Sequence, residues 1–205
     1  MKKDTNTTDK PLLWIMLFLI TTGIIFFVSA SLGILNQSTT KFYSILKSQF
    51  LLGLIGGLIL LWVTYNVHYL IWRKYSFYIF LATLLCMLVI FIPGVGYEHG
   101  GAKRWINIGF ASFQPAELLK FGFILYAATW FSWLGKKVKD IRFSTIPLFI
   151  MFAIAGVLLI LQPDTKSLVL IIISGGMMLF VSGTPMKHIM LIGFSSIFII
   201  LSIGF

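Results

Sequence analysis

Acidic side chains are scarce in this chain: six Asp and Glu among 205 residues, against sixteen Lys and Arg. Charges of both signs make up only 11% of the residues, where soluble domains carry roughly 25%. So few charges do not cover a water-exposed surface, which excludes a soluble globular domain. Cysteine is nearly absent: the single one, Cys86, lies inside an apolar run. That excludes a disulfide framework and a thiolate metal site, and leaves a small packed core residue. Long polar stretches are missing too, so a separate soluble domain has no room.

What is present is apolar, at 59% of residues. Runs of the ~20 residues needed to cross a ~30 Å hydrocarbon core recur over almost the whole length. The predicted fold class is all-α, a polytopic helical membrane protein with about seven transmembrane helices. A polar cytoplasmic tail at residues 1–11 precedes one membrane bundle over residues 12–205. The first apolar run, 12–35, exceeds the ~7–15 residues of a signal-peptide core and reads as a retained span. The next spans are expected near 49–67, 76–92 and 113–134. Pro147 falls in the first turn of a fifth that reaches Leu161; a sixth covers about 167–182, and a seventh opens near His188. Ser29 with Gly33, and Gly53 with Gly57, are small residues four apart, a spacing that lets another helix approach closely.

The net charge of +10 would suggest nucleic acid in a soluble chain, but here the cations fall largely between spans and set topology. Alternate loops place ten of the sixteen on one side, among them Arg73, Lys74, Lys136, Lys137, Lys139 and Arg142. The positive-inside rule makes that side, and the N-terminus, cytoplasmic. The polar stretch at 93–112 and the break at Pro163-Asp164 then open toward the extracytoplasmic face, where they could share one cavity.

That polar stretch runs on to Lys120 and carries most of the unusual chemistry. Arg104 presents a fork that matches a phosphate through two parallel hydrogen bonds, and Lys103 beside it is a point charge. The plainer reading is a pair of headgroup contacts with Trp105 as one member of an aromatic belt. Glu117 and Lys120, three apart, are neighbours on one helix face about a turn inside the span that Pro115 opens. They either line a polar cavity for an anionic or sugar-bearing ligand or form a neutralised pair that pins helices. Asp164 suits an N-cap of the sixth helix, with Lys166 near enough to balance it, or a carboxylate at a cavity mouth that binds a cation or takes a proton. Glu98 and His99 are adjacent, which is no metal site.

Read in order, Ser29-Ala-Ser31, Pro93-Gly-Val-Gly96, Gly101-Ala-Lys-Arg-Trp-Ile-Asn-Ile-Gly109, Phe113-Gln-Pro-Ala-Glu-Leu-Leu-Lys120 and Gln162-Pro-Asp164 resemble the SEDS family of shape, elongation, division and sporulation proteins, most closely its division branch. The resemblance covers essentially the whole chain and implies a ten-span fold of which this is the N-terminal part. It implies a peptidoglycan glycosyltransferase of the bacterial cytoplasmic membrane, which joins the disaccharides of lipid II and releases undecaprenyl pyrophosphate on the extracytoplasmic face. By matching motif, Arg104, Glu117, Lys120 and Asp164 are expected to be catalytic, and Lys103, Arg104, Trp105 and Gln114 to bind substrate. No protein metal site is implied, although Mg or Mn could accompany the pyrophosphate. A class B penicillin-binding protein and other division proteins are the implied partners. Two departures stand out. Thr165-Lys-Ser167 replaces the family's Gly-Thr after the aspartate, and the family's proposed catalytic aspartate, in a loop after the seventh span, has no counterpart here. A lipid II flippase and a non-catalytic division scaffold remain as alternatives.

Overall fold

The computed structural model describes residues 10–35, 39–99, 102–107 and 112–204. Lys2 and Lys3 of the tail, and Gly100, Gly101 and Gly109 of the polar stretch, lie outside the described residues. The chain forms two compact units, Met1–Trp62 and Val63–Phe205.

The first unit contains α1 (Lys10–Leu35), α2 (Thr39–Ser48), a π-helical run (Gln49–Ile55) and most of α3 (Gly56–Asn66). Lys10–Leu32 is one of three helices among the described residues long and apolar enough to cross a membrane; the others are Tyr69–Val89 and Pro115–Lys139. Its apolar side chains are exposed on all sides, as a span surrounded by lipid would be. The second rod begins at Thr39 rather than near residue 49. Polarity marks where hydrocarbon ends, whereas a helix continues for as long as its backbone bonds are made. Among the described residues the close approach expected at Gly53 and Gly57 is not made: a methyl group on Gly57 would meet nothing within 4 Å, and on Gly53 only Gln49 of the same rod.

The second unit holds α4 (Tyr69–Val89), a sheet of β1 (Gly96–His99), β2 (Ala102–Asn107) and β3 (Ser112–Phe113), then α5 (Pro115–Leu134), a 3-10 segment (Gly135–Lys139), α6 (Thr145–Leu161), α7 (Thr165–Val181) and α8 (Met186–Gly204). With Thr39–Asn66 counted as one rod, the helices number seven among the described residues. Again the third starts earlier than polarity suggests. His68 caps α4 by accepting from the Leu70 amide at 3.3 Å, so Arg73 and Lys74 belong to its first turns.

The helix α5 is central. Its Phe123 stacks on Phe152 of α6 with ring centroids 5.5 Å apart, and Tyr126 stacks on Phe80 of α4 at 5.4 Å. Because Phe80 meets Tyr126 while Thr83 meets Gly122, α4 and α5 run antiparallel. Gly122 makes this closeness possible, since a methyl there would lie 2.6 Å from the Thr83 hydroxyl. Lipid tails are as apolar as leucine, so helices in a bilayer associate through such close packing rather than through a hydrophobic force. The buried residues Leu119, Phe123, Ala127, Leu148, Ala155, Leu159, Ile171 and Leu179 form one core among α5, α6 and α7.

Candidate functional site

The sheet was not anticipated by the sequence pattern, and it aims the key cation. Strand β2 lies between β1 and β3 and runs antiparallel to both. Tyr97 pairs with Trp105, but the next pair is Glu98 with Lys103, so Arg104 is the extra residue of a β-bulge. A bulge leaves its residue out of the ladder and turns its side chain away from the regular alternation. Gly96 permits the strand to start here, because a Cβ would lie 2.5 Å from the Ile90 carbonyl oxygen.

Aimed in this way, the Arg104 guanidinium reaches the break between α6 and α7, 58 residues further along. Its Nε donates to the Gln162 carbonyl at 3.0 Å and its Nη2 to the Pro163 carbonyl at 2.5 Å. The last carbonyls of a helix lack partners inside it and sit at its negative end, so a cation there satisfies hydrogen bonds and the dipole together. Arg104 therefore caps the C-terminus of α6.

Asp164 caps the other side of the break. Its Oδ1 accepts from the Ser167 amide at 3.2 Å, and its Oδ2 accepts from the Ser167 hydroxyl at 2.7 Å and from Gln114 Nε2 at 3.1 Å. Asp164 is only 4% exposed. Gln114 precedes Pro115, the first residue of α5, and makes no side-chain cap there because its amide is turned to Asp164. Gln162 is 1% exposed, and its Nε2 donates to the Met87 carbonyl in the last turn of α4 at 3.3 Å. Four helix ends meet in this way: the C-termini of α4 and α6 and the N-termini of α5 and α7.

Of the residues singled out from the sequence, the structure brings Arg104, Gln114 and Asp164 to this junction. Lys103 is exposed on β2, and Trp105 is half-buried opposite Tyr97. Glu117 and Lys120 instead pair with each other at 2.7 Å in the first turns of α5, where the Glu117 side chain is 60% exposed. They lie on the helix that follows Gln114, and among the described residues they make no hydrogen bond or ion pair with Asp164 or Arg104. Sequence reading overlooked Gln162 and Ser167 as working parts. Ser167 stands three residues after Asp164, the spacing at which an N-cap meets its N3 partner, and that was a legible signal. For Gln162 there was none, since its partner lies on another helix.

Helix N-termini and exposed cations favour a negative charge, and at α7 the Asp164 carboxylate already takes part of that role. Lys103 and Lys166, the latter in the first turn of α7, are both exposed. For a resident cation the fit is poor. Both Asp164 oxygens are engaged, Glu117 is held by Lys120, and no three His, Cys, Asp or Glu side chains converge among the described residues.

A polytopic helical membrane protein whose interrupted helices converge beneath a small β-sheet is the class these features define. Residues 10–205 match the family described as Cell cycle protein, which groups FtsW, RodA and SpoVE, and the chain belongs to that family. It is 31% identical over 182 residues to a protein of Saccharophagus degradans named probable peptidoglycan glycosyltransferase FtsW, covering 87% of this chain and 46% of that protein. It is 28% identical over 193 residues to stage V sporulation protein E of Bacillus subtilis, covering 94% and 52%. The chain thus spans about half the length of the curated relatives it matches. The fold is shared with a variant of the rod shape-determining protein RodA of Thermus thermophilus, at a TM-score of 0.69 and 22% identity over 94% of this chain and 59% of that one. It is also shared with a chain of a peptidoglycan synthase complex described as coordinating polymerization and crosslinking, at 0.72 and 23%, over 93% and 52%.

Proposed function

We propose that this chain carries the lipid pyrophosphate site of a peptidoglycan glycosyltransferase, on the extracytoplasmic face of the bacterial cytoplasmic membrane. The observation that carries the proposal is the junction itself, where the N-termini of α5 and α7 and the cations Lys103, Arg104 and Lys166 gather within a family whose relatives are named for this reaction. The reaction forms a bond between the 4-hydroxyl oxygen of one lipid II and the anomeric carbon of another. It breaks the bond from that carbon to the pyrophosphate, on which negative charge accumulates. Preorganised positive groups at that position are the largest electrostatic help a protein supplies to such a step.

Arg104 keeps three of its five N–H donors after capping α6. It and Lys103 would hold the pyrophosphate, Trp105 and Gln114 the sugar or lipid at the mouth, and Asp164 would keep α7 aimed. Glu117 and Lys120 would line the path of the substrate. The hydroxyl proton needs a base that these residues do not place: Asp164 is occupied and Glu117 is paired. Ten of the sixteen cations on the opposite side orient the bundle. A class B penicillin-binding protein is the partner this reading implies, with other division proteins.

The test is binding of fluorescent lipid II to the chain in nanodiscs, with undecaprenyl pyrophosphate as competitor. Lys103→Gln should weaken binding about tenfold, the lower end of one charge-assisted hydrogen bond. Failure of undecaprenyl pyrophosphate to compete would sink the assignment. In liposomes, labelled lipid II that crosses the bilayer without entering polymer would favour the transporter instead.

A further inference from the structure

A groove of about 420 Å³ lies at the other end of the α4–α5 pair, away from the junction. Arg73 enters it from the first turns of α4, and Thr129 and Ser132 from the last turns of α5; Trp72 of α4 adds to its wall, and Phe121 and Leu125 continue it along α5. No carboxylate lines it, and Arg73 makes no ion pair among the described residues. The α5 face from Phe121 to Ser132 is about 16 Å long at 1.5 Å per residue. That matches one leaflet of a ~30 Å hydrocarbon core. The Trp72 and Phe121 rings meet edge to face at 6.1 Å and form an apolar wall. A single cation and the Ser132 hydroxyl at one end, where the Thr129 hydroxyl is already given to the Leu125 carbonyl at 2.9 Å, with an apolar trough of leaflet depth behind them, has the shape of a headgroup and its chain.

We propose that this groove binds an anionic glycerophospholipid, with the phosphate at Arg73 and Ser132 and one acyl chain along the Phe121–Leu125 face. The charge selects the headgroup, since the end of the bundle that carries Lys136, Lys137 and Lys139 is also the end that the positive-inside rule places in the anionic leaflet. The apolar trough selects a lipid over a free anion, because inorganic phosphate would leave Phe121 and Leu125 uncovered. This site is independent of the lipid II reading: it uses different residues at the opposite end of α5.

The experiment is native mass spectrometry of the chain released from detergent with phosphatidylglycerol or phosphatidylcholine of identical acyl chains. The wild type should retain phosphatidylglycerol about fivefold better, the ratio one arginine near an anionic headgroup supplies. Arg73→Gln should bring the ratio close to one. Lys136→Gln, a cation near that end that does not line the groove, should leave it unchanged, and Ala128→Trp, which fills the trough, should reduce retention of both lipids. The proposal is overturned if Arg73→Gln keeps the preference or if Lys136→Gln lowers it equally. It is also overturned if inorganic phosphate alone displaces the phosphatidylglycerol. No lipid II is present in the assay, so its outcome is separate from that of the pyrophosphate site.

Discussion

Replacing Arg104 by alanine is the sharpest probe of the junction. The substitution deletes two hydrogen bonds from a charged donor, one of 3.0 Å to the Gln162 carbonyl and one of 2.5 Å to the Pro163 carbonyl. Each such bond is worth about 1.5–3 kcal/mol. Arg104 is half-buried, so water takes over part of the loss, and about 2 kcal/mol is the expected local cost. That corresponds to roughly thirtyfold in a local opening equilibrium. The readout is amide hydrogen exchange at Asp164, whose N–H donates to the Leu159 carbonyl at 2.8 Å, and at Leu168, which donates to the Asp164 carbonyl at 3.3 Å. Both should exchange about thirtyfold faster, while amides in the middle of α5 stay protected. Arg104→Lys keeps the charge but offers one point donor in place of a planar fork, and should restore no more than half of the lost protection in free energy. Less than a twofold change in the alanine variant, or complete rescue by lysine, would refute the claim that the fork holds the break together.

Other substitutions test neighbouring parts. Asp164→Asn keeps a good N-cap and should leave α7 protected from exchange, whereas Asp164→Ala loses the cap and leaves Gln114 unpaired, costing about 2–3 kcal/mol in unfolding experiments. If the carboxylate also acts on substrate, the asparagine variant should lose lipid II binding although its fold is intact. Gly122→Ala places a methyl 2.6 Å from the Thr83 hydroxyl and should destabilise by about 1–3 kcal/mol; adding Thr83→Ala should recover part of that, a coupling read from a double-mutant cycle. Glu117→Gln breaks an exposed pair on one helix. It should change stability by less than about 0.5 kcal/mol, so a large effect on lipid II binding would mark a functional role and none would mark a structural one.

Much of the bundle is legible in the chain itself, because a bilayer demands long apolar stretches and internally satisfied backbone. The seven runs, Pro115 at the start of α5 and Asp164 at the start of α7 all follow from local rules of length, fixed φ and capping. The boundaries at Thr39 and Tyr69 do not, since polarity reports the edge of the hydrocarbon rather than the end of the helix. Ser167 could have been read from its spacing to Asp164. Which alternative each polar residue takes was decided elsewhere. Arg104 could have faced a headgroup or a phosphate; its bulge and the break 58 residues away give two of its donors to α6 instead. Gln162 reaches α4, Gln114 reaches α7, and Glu117 and Lys120 keep to each other. The glycines at 53 and 57 carry the spacing of a close helix contact without making one among the described residues. Sequence by itself determined which segments span and where their ends need caps, because those depend on neighbours a few residues away. Only the tertiary structure decided that Arg104 closes α6, that Gln114 joins Asp164 and that Gln162 reaches α4, because a hydrogen bond between residues 50 or more positions apart exists only once the helices that carry them have packed.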